Sequence, residues 1–128
     1  MIKDTKPYST RIAKLHLRDS DLLEIDIEPD RTFEKSDMED LIEGAKNIGN
    51  GRKLKNLILV GRGTVADVDS RALSASVEGC IYKIADAFVI NGAAQKFLMN
   101  IYIKLQKPAV PTSFFTDKQE AMNWLAAQ

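Results

Sequence analysis

The sequence predicts an α/β fold: one domain with a mixed β-sheet of about five strands and four helices mainly on one face. Three observations lead there. Two alternating apolar–polar runs flank the short polar turn Asp19, Ser20, Asp21. A fully apolar run, Leu57 to Val60, lies between two segments with helical spacing. From there to the end, short apolar runs and helical stripes take turns.

Residues 1–10 are polar around Pro7 and are expected to form an arm, with the domain proper at 11–128. In the first alternating run Ala13, Leu15 and Leu17 share one face, and Lys14, His16 and Arg18 share the other. In the second, Leu23, Ile25 and Ile27 alternate with Glu24, Asp26 and Glu28. A short loop pairs Leu17 with Leu23, His16 with Glu24 and Leu15 with Ile25, an antiparallel hairpin with one wet face. Opposite charges facing each other across the strands explain that polar face without an active site.

Pro29 to Thr32 breaks the strand. Ser36 and Glu39 form a capping-box pattern ahead of Met38, Leu41, Ile42, Ala45 and Ile48, an apolar helical stripe suited to a sheet. Gly49, Asn50 and Gly51 end that helix with residues that tolerate positive φ. Arg52 to Lys55 is a basic connector. Leu57 to Val60 then reads as a central parallel strand, and Gly61 to Asp67 as its turn. Asp69 or Ser70 caps a weakly apolar second helix running to about Gly79. Ala85 to Ile90 is the next strand. A helix over 93–106 carries Phe97, Leu98, Ile101, Tyr102 and Leu105 on a broad stripe, extended by Met99 and Ile103. Lys107-Pro108 closes it. Val110 to Phe115, with Pro111, reads as an edge strand. A capping signature at Thr116 to Gln119 opens the last helix, with Ala121, Met122, Trp124 and Leu125.

Composition narrows the function. The 128 residues hold 18 Lys+Arg and 18 Asp+Glu, a formal net charge of zero. A general nucleic-acid binder needs a basic excess, so nucleic acid is not an expected partner. Cys80 is the single cysteine. No internal disulfide can form, and a cytoplasmic setting is the default expectation. Neither a secretory signal nor an apolar run of the roughly 20 residues needed for a membrane helix is present.

The stretch Leu59 to Ser70 resembles the switch region of STAS domains, the fold of bacterial anti-sigma-factor antagonists. Those proteins carry a buried strand, a turn with glycine and valine, and Asp-Ser-Ser-Gly opening a helix. Here the tetrad is Asp69, Ser70, Arg71, Ala72. Arg71 occupies the place of the phosphorylated serine. The resemblance thus implies a constitutive docking surface rather than a phosphorylation switch. The stretches around Phe88, Lys104 to Pro108 and Phe114 to Leu125 are similar to small bacterial proteins described as STAS or SEC14-like. That likeness implies, as an alternative, a cavity for a lipid or other apolar ligand.

The candidate residues follow. Gly61, Arg62 and Gly63 suggest a phosphate cradle, but the spacing and lysine of a P-loop are missing. A structural turn is the favoured account of them. Asp67, Asp69, Ser70 and Arg71 complete the expected partner- or ligand-contact surface. Asp67 and Asp69 alone are too few for a metal site, and a lone His16 has no ligand partners nearby in sequence. Neither a catalytic set, a metal site nor a cofactor motif is found. Phe97, Met99, Ile101, Tyr102 and Ile103 are the expected self-association or apolar-ligand surface. The functional expectation is a non-enzymatic interaction module whose partner is a protein, including a second copy of itself. Its alternatives are a small apolar-ligand or lipid binder and, behind that, an enzyme gathering Asp67, Asp69, His16 or Cys80.

Overall fold

A computed structural model describes residues 7–128. The main sheet has six strands in the order β1-β2-β3-β5-β7-β8. They are β1 (Tyr8–Ser9), β2 (Ala13–Leu17), β3 (Leu22–Ile27), β5 (Leu54–Val60), β7 (Lys83–Val89) and β8 (Thr112–Phe115). Two further short strands, β4 (Thr32–Phe33) and β6 (Val65–Ala66), form a small parallel pair of their own. Four α-helices lie among the described residues: α1 (Lys35–Ile48), α2 (Val68–Ala75), α3 (Gly92–Ile101) and α4 (Lys118–Ala126).

The hairpin register is the expected one. Leu17 faces Leu23, His16 faces Glu24 and Leu15 faces Ile25. β3, β5, β7 and β8 then run parallel, as strands joined by crossover helices must. The sixth strand comes from the predicted arm, where Tyr8 pairs with Leu15. The Tyr8 ring lies where a Cβ on Gly44 of α1 would stand, 2.7 Å away. A glycine at that point of the helix lets the ring pack. Residues 1–6 of the arm lie outside the described residues.

The sheet has two covered faces. On one, Leu15, Leu23, Ile25 and Ile58 pack with Leu41 and Ala45 of α1. On the other, Leu57, Ala85 and Ala87 pack with Ala121 and Leu125 of α4. α4 extends toward the wet face of the hairpin, where Lys118 and Arg18 both reach Glu24 at 3.3 and 3.1 Å.

Several local expectations are corrected. α1 begins before Ser36: Glu34 is the N-cap, and Asp37 accepts its backbone N–H at 2.9 Å. Asp37 wins because Arg11 clamps it from β2's approach at 2.6 and 3.0 Å, a tertiary contact. α2 is capped by Asp67, whose carboxylate accepts the Ser70 N–H at 2.8 Å. Neither Asp69 nor Ser70 is the cap, and the helix stops at Ala75. The predicted helix 93–106 is α3 followed by a π turn at Tyr102–Gln106.

Candidate functional site

The β5–β6 turn is built by packing rather than for phosphate. A Cβ on Gly61 would stand 2.4 Å from the Glu28 and Pro29 backbone, so only glycine lets the two chain segments cross. Gly63 has φ +83 beside Asp30, itself at φ 57. The Asp30 N–H donates to the Arg62 carbonyl at 2.9 Å, and the Arg31 N–H to Thr64 Oγ1 at 3.1 Å. Gln95, buried in α3, donates from Nε2 to the carbonyls of Gly61 and Thr64, both at 2.8 Å. At the start of α2 the Asp67 carboxylate already holds the anion position. A second anion there would be repelled.

The predicted contact residues divide. Arg62, Gly63 and Asp69 are exposed, while Gly61 and Asp67 are half-buried. Ser70 is fully buried, and its hydroxyl donates to the Asp67 carbonyl at 2.9 Å. Arg71 turns inward, with Nη1 donating to the Ala66 carbonyl. Its side chain, half-buried, forms part of a cavity wall.

That cavity, of about 130 Å³, lies between the sheet and α1, α2 and α3. Its walls are mostly apolar: Ile58 and Phe88 from the sheet, Leu41 and Ala45 from α1, Leu98 and Met99 from α3. Of the residues expected to form an apolar-ligand surface, Met99 and Tyr102 line it. Phe97 points to solvent, and Ile101 and Ile103 are half-buried. The broad stripe is thus not one contact face: the buried members of this segment are Gln95 and Tyr102.

One end of the cavity is polar. Lys83 Nζ lies 2.7 Å from Asp86 Oδ2 and donates to Ser74 Oγ at 3.2 Å. Tyr102 donates its hydroxyl proton to Ser74 Oγ at 2.9 Å. Asn56 Nδ2 donates to Asp86 Oδ1 at 2.8 Å. Cys80 Sγ donates to the Ser74 carbonyl at 3.3 Å. Burial disfavours the Lys83 ammonium, but the Asp86 charge, the Tyr102 phenol and the hydrogen bond to Asp86 together outweigh it and lift the Lys83 pKa above its ordinary value. Burial pushes the Tyr102 phenol up to about 12, so it stays a neutral donor. Two buried atoms at this cavity's residues have no hydrogen-bond partner among the described residues: Asn56 Oδ1 and Arg71 Nε.

This cluster is absent from the sequence reading. Asn56 and Asp86 did leave a signal, since a polar residue inside a central apolar strand demands a buried partner. Lys83, Ser74 and Gln95 left none. His16 and Cys80 are not brought together: His16 alternates with the core residues of β2 and points away from the face where Cys80 lies. Among the described residues no three His, Cys, Asp or Glu side chains come together as metal ligands, and no helix is long and apolar enough to cross a membrane.

Comparison with known proteins agrees with this architecture. An uncharacterized protein of the DUF3478 family with a SpoIIAA-like fold, from Shewanella loihica PV-4, superposes with a TM-score of 0.61 at 15% identity. The match covers 92% of this chain and 98% of that one. At that identity the likeness shows the fold, and the fold is STAS-like as expected. No curated protein sequence matches. Residues 15–128 match the Domain of unknown function (DUF7793). With nearly the whole domain inside that match, the chain belongs to the DUF7793 family.

Proposed function

We propose that this domain is a non-enzymatic binding module that takes a small apolar ligand between its sheet and helices α1 to α3. The observation that carries this reading is the cavity of about 130 Å³, apolar over most of its wall. A packed core leaves few voids of that size, and apolar clefts with a few polar groups are the usual form of small-molecule sites. Lys83 is held as an ammonium by Asp86, which removes its nucleophilic lone pair; this supports binding over catalysis.

The test is isothermal titration with toluene, a neutral ring near the size of the cavity, together with native mass spectrometry for a copurified ligand. Saturable toluene binding is expected. Ala45→Phe, which fills the cavity from α1, should abolish it while leaving thermal stability equal or higher. No saturable binding to the wild type, or unchanged binding to Ala45→Phe, would end this reading.

A second reading keeps a protein partner, or a second copy of the chain, at the start of α2. It rests on Val68, 57% exposed and followed by exposed Asp69. Sedimentation of the wild type and of Val68→Asp would test self-association; identical monomeric profiles would remove the second copy.

A further inference from the structure

Phe97 and Leu105 are large apolar side chains that α3 and its π turn leave in solvent, 64% and 74% exposed. Ile101, half-buried, stands between them at helical spacing. This outer stripe lies away from the side that buries Gln95 and Tyr102. Apolar side chains gathered on one exposed helix face mark an interaction surface.

The charge of this face has one sign. From Ala87 to Thr116 the sequence holds Lys96, Lys104 and Lys107 and no acidic residue, although the whole chain is neutral. All three lysines are exposed. Among the described residues none of them forms an ion pair. By contrast, α1 carries Asp37, Glu39, Asp40 and Glu43 against Lys35 and Lys46. Positive charge is thus concentrated where the apolar stripe is.

Charge decides what covers this face. A second copy docked across a two-fold axis would set these lysines against their own equivalents. An anionic partner is attracted instead. Lys104 then separates a membrane from a protein groove. It stands seven residues after Phe97, about two turns along the same line of the helix, so it lies within the stripe and not at its rim. A closed protein groove would strip that ammonium of water. At a bilayer surface the lysine stem lies along hydrocarbon while the ammonium reaches the phosphates.

We infer that the outer face of α3 and the π turn docks on an anionic phospholipid surface. Phe97 and Leu105 enter the acyl boundary, and Lys96, Lys104 and Lys107 meet lipid phosphates. A ten-residue helix lies in such an interface and does not span it. The inference is separate from the cavity reading, because Leu98 and Met99, not these side chains, are the cavity wall.

The test is cosedimentation of the full chain with sucrose-loaded vesicles of equimolar phosphatidylcholine and phosphatidylglycerol, beside vesicles of phosphatidylcholine alone. Binding to the mixed vesicles is expected to exceed binding to the neutral ones and to weaken as salt is added. Lys96→Gln combined with Lys104→Gln should weaken it about twentyfold, near fivefold for each charge. Phe97→Ser should weaken it about tenfold or more. These side chains are exposed, so both variants should keep the wild-type thermal midpoint and toluene binding. No binding to the mixed vesicles, equal binding to the neutral ones, or unchanged affinity in the folded variants overturns the inference. So does a copurifying acidic protein that both variants lose while the wild type ignores vesicles, which assigns the face to a protein groove.

Discussion

Removing the Asp86 carboxylate would leave the Lys83 ammonium, only 10% exposed, with neutral Ser74 oxygens for company. An uncompensated buried charge is far more costly than a pair replaced as a unit. Asp86→Ala is therefore expected to lose about 3–5 kcal/mol in urea unfolding. The double variant Lys83→Met with Asp86→Leu should recover most of it. If the double variant is as unstable as the single one, the pair is held by something other than charge compensation. The same reasoning explains why sequence reading passed over the site. Asp86 and Asn56 are two polar residues in strands whose other side chains are mostly apolar. Their meaning depends on a cross-strand partner, Asn56 facing Asp86 in register. Spacing along one strand cannot show which residue on another strand answers it.

At the scale of the element, the N-terminus of α1 depends on a residue outside the helix. Burial raises the Asp37 pKa, but the hydrogen bond from Arg11, the Glu34 N–H and the Arg11 charge outweigh it and leave the pKa below its ordinary value. A carboxyl with a lowered folded-state pKa stabilises above its unfolded pKa of about 4, and that contribution is lost as the pH falls through the folded value. Asp37→Asn should therefore cost about 1 kcal/mol at neutral pH. The difference from wild type should shrink toward zero in strongly acidic buffer. Urea midpoints at both ends of that range check the sign; a constant difference would mean that the charge is irrelevant. Ser36 and Glu39 do not form the cap for the same physical reason. Local spacing favours them, and Arg11, 26 residues away from Asp37, shifts the balance. The β5–β6 turn shows a related effect, since Gln95 and the Glu28–Pro29 backbone shape it from distant parts of the chain.

At the scale of the whole molecule, the main sheet carries two apolar clusters, one on each face. α4 closes the second cluster with Leu125, 1% exposed, next to Trp124, the single tryptophan. Leu125→Ala is expected to cost about 2–5 kcal/mol. β5 contributes to both clusters, Ile58 to one and Leu57 to the other. Both should then unfold together. Tryptophan fluorescence reads the α4 side, and far-ultraviolet circular dichroism reads the whole. The two transitions should coincide in this variant, whereas an earlier fluorescence transition would show α4 detaching alone. The expectation of helices mainly on one face holds for α1, α2 and α3, with α4 opposite. The hairpin's polar face survives because α4 meets it with Lys118 rather than with an apolar stripe.

The sequence by itself determined the hairpin and its register and the strand–helix alternation. These depend on the two-residue and 3.6-residue periods, which are properties of neighbouring residues. The STAS-like class came from the resemblance of Leu59 to Ser70 to a known family. It also located the turn at Gly61–Asp67, but as a candidate phosphate cradle. Tertiary structure alone decided that Gly61 is there for backbone crossing, that Ser70 is buried and that Arg71 faces inward. It alone brought Asn56, Ser74, Lys83, Asp86 and Tyr102 together at the end of a cavity. Each of those outcomes is set by contacts between chain segments far apart in sequence, and a local period carries no information about them.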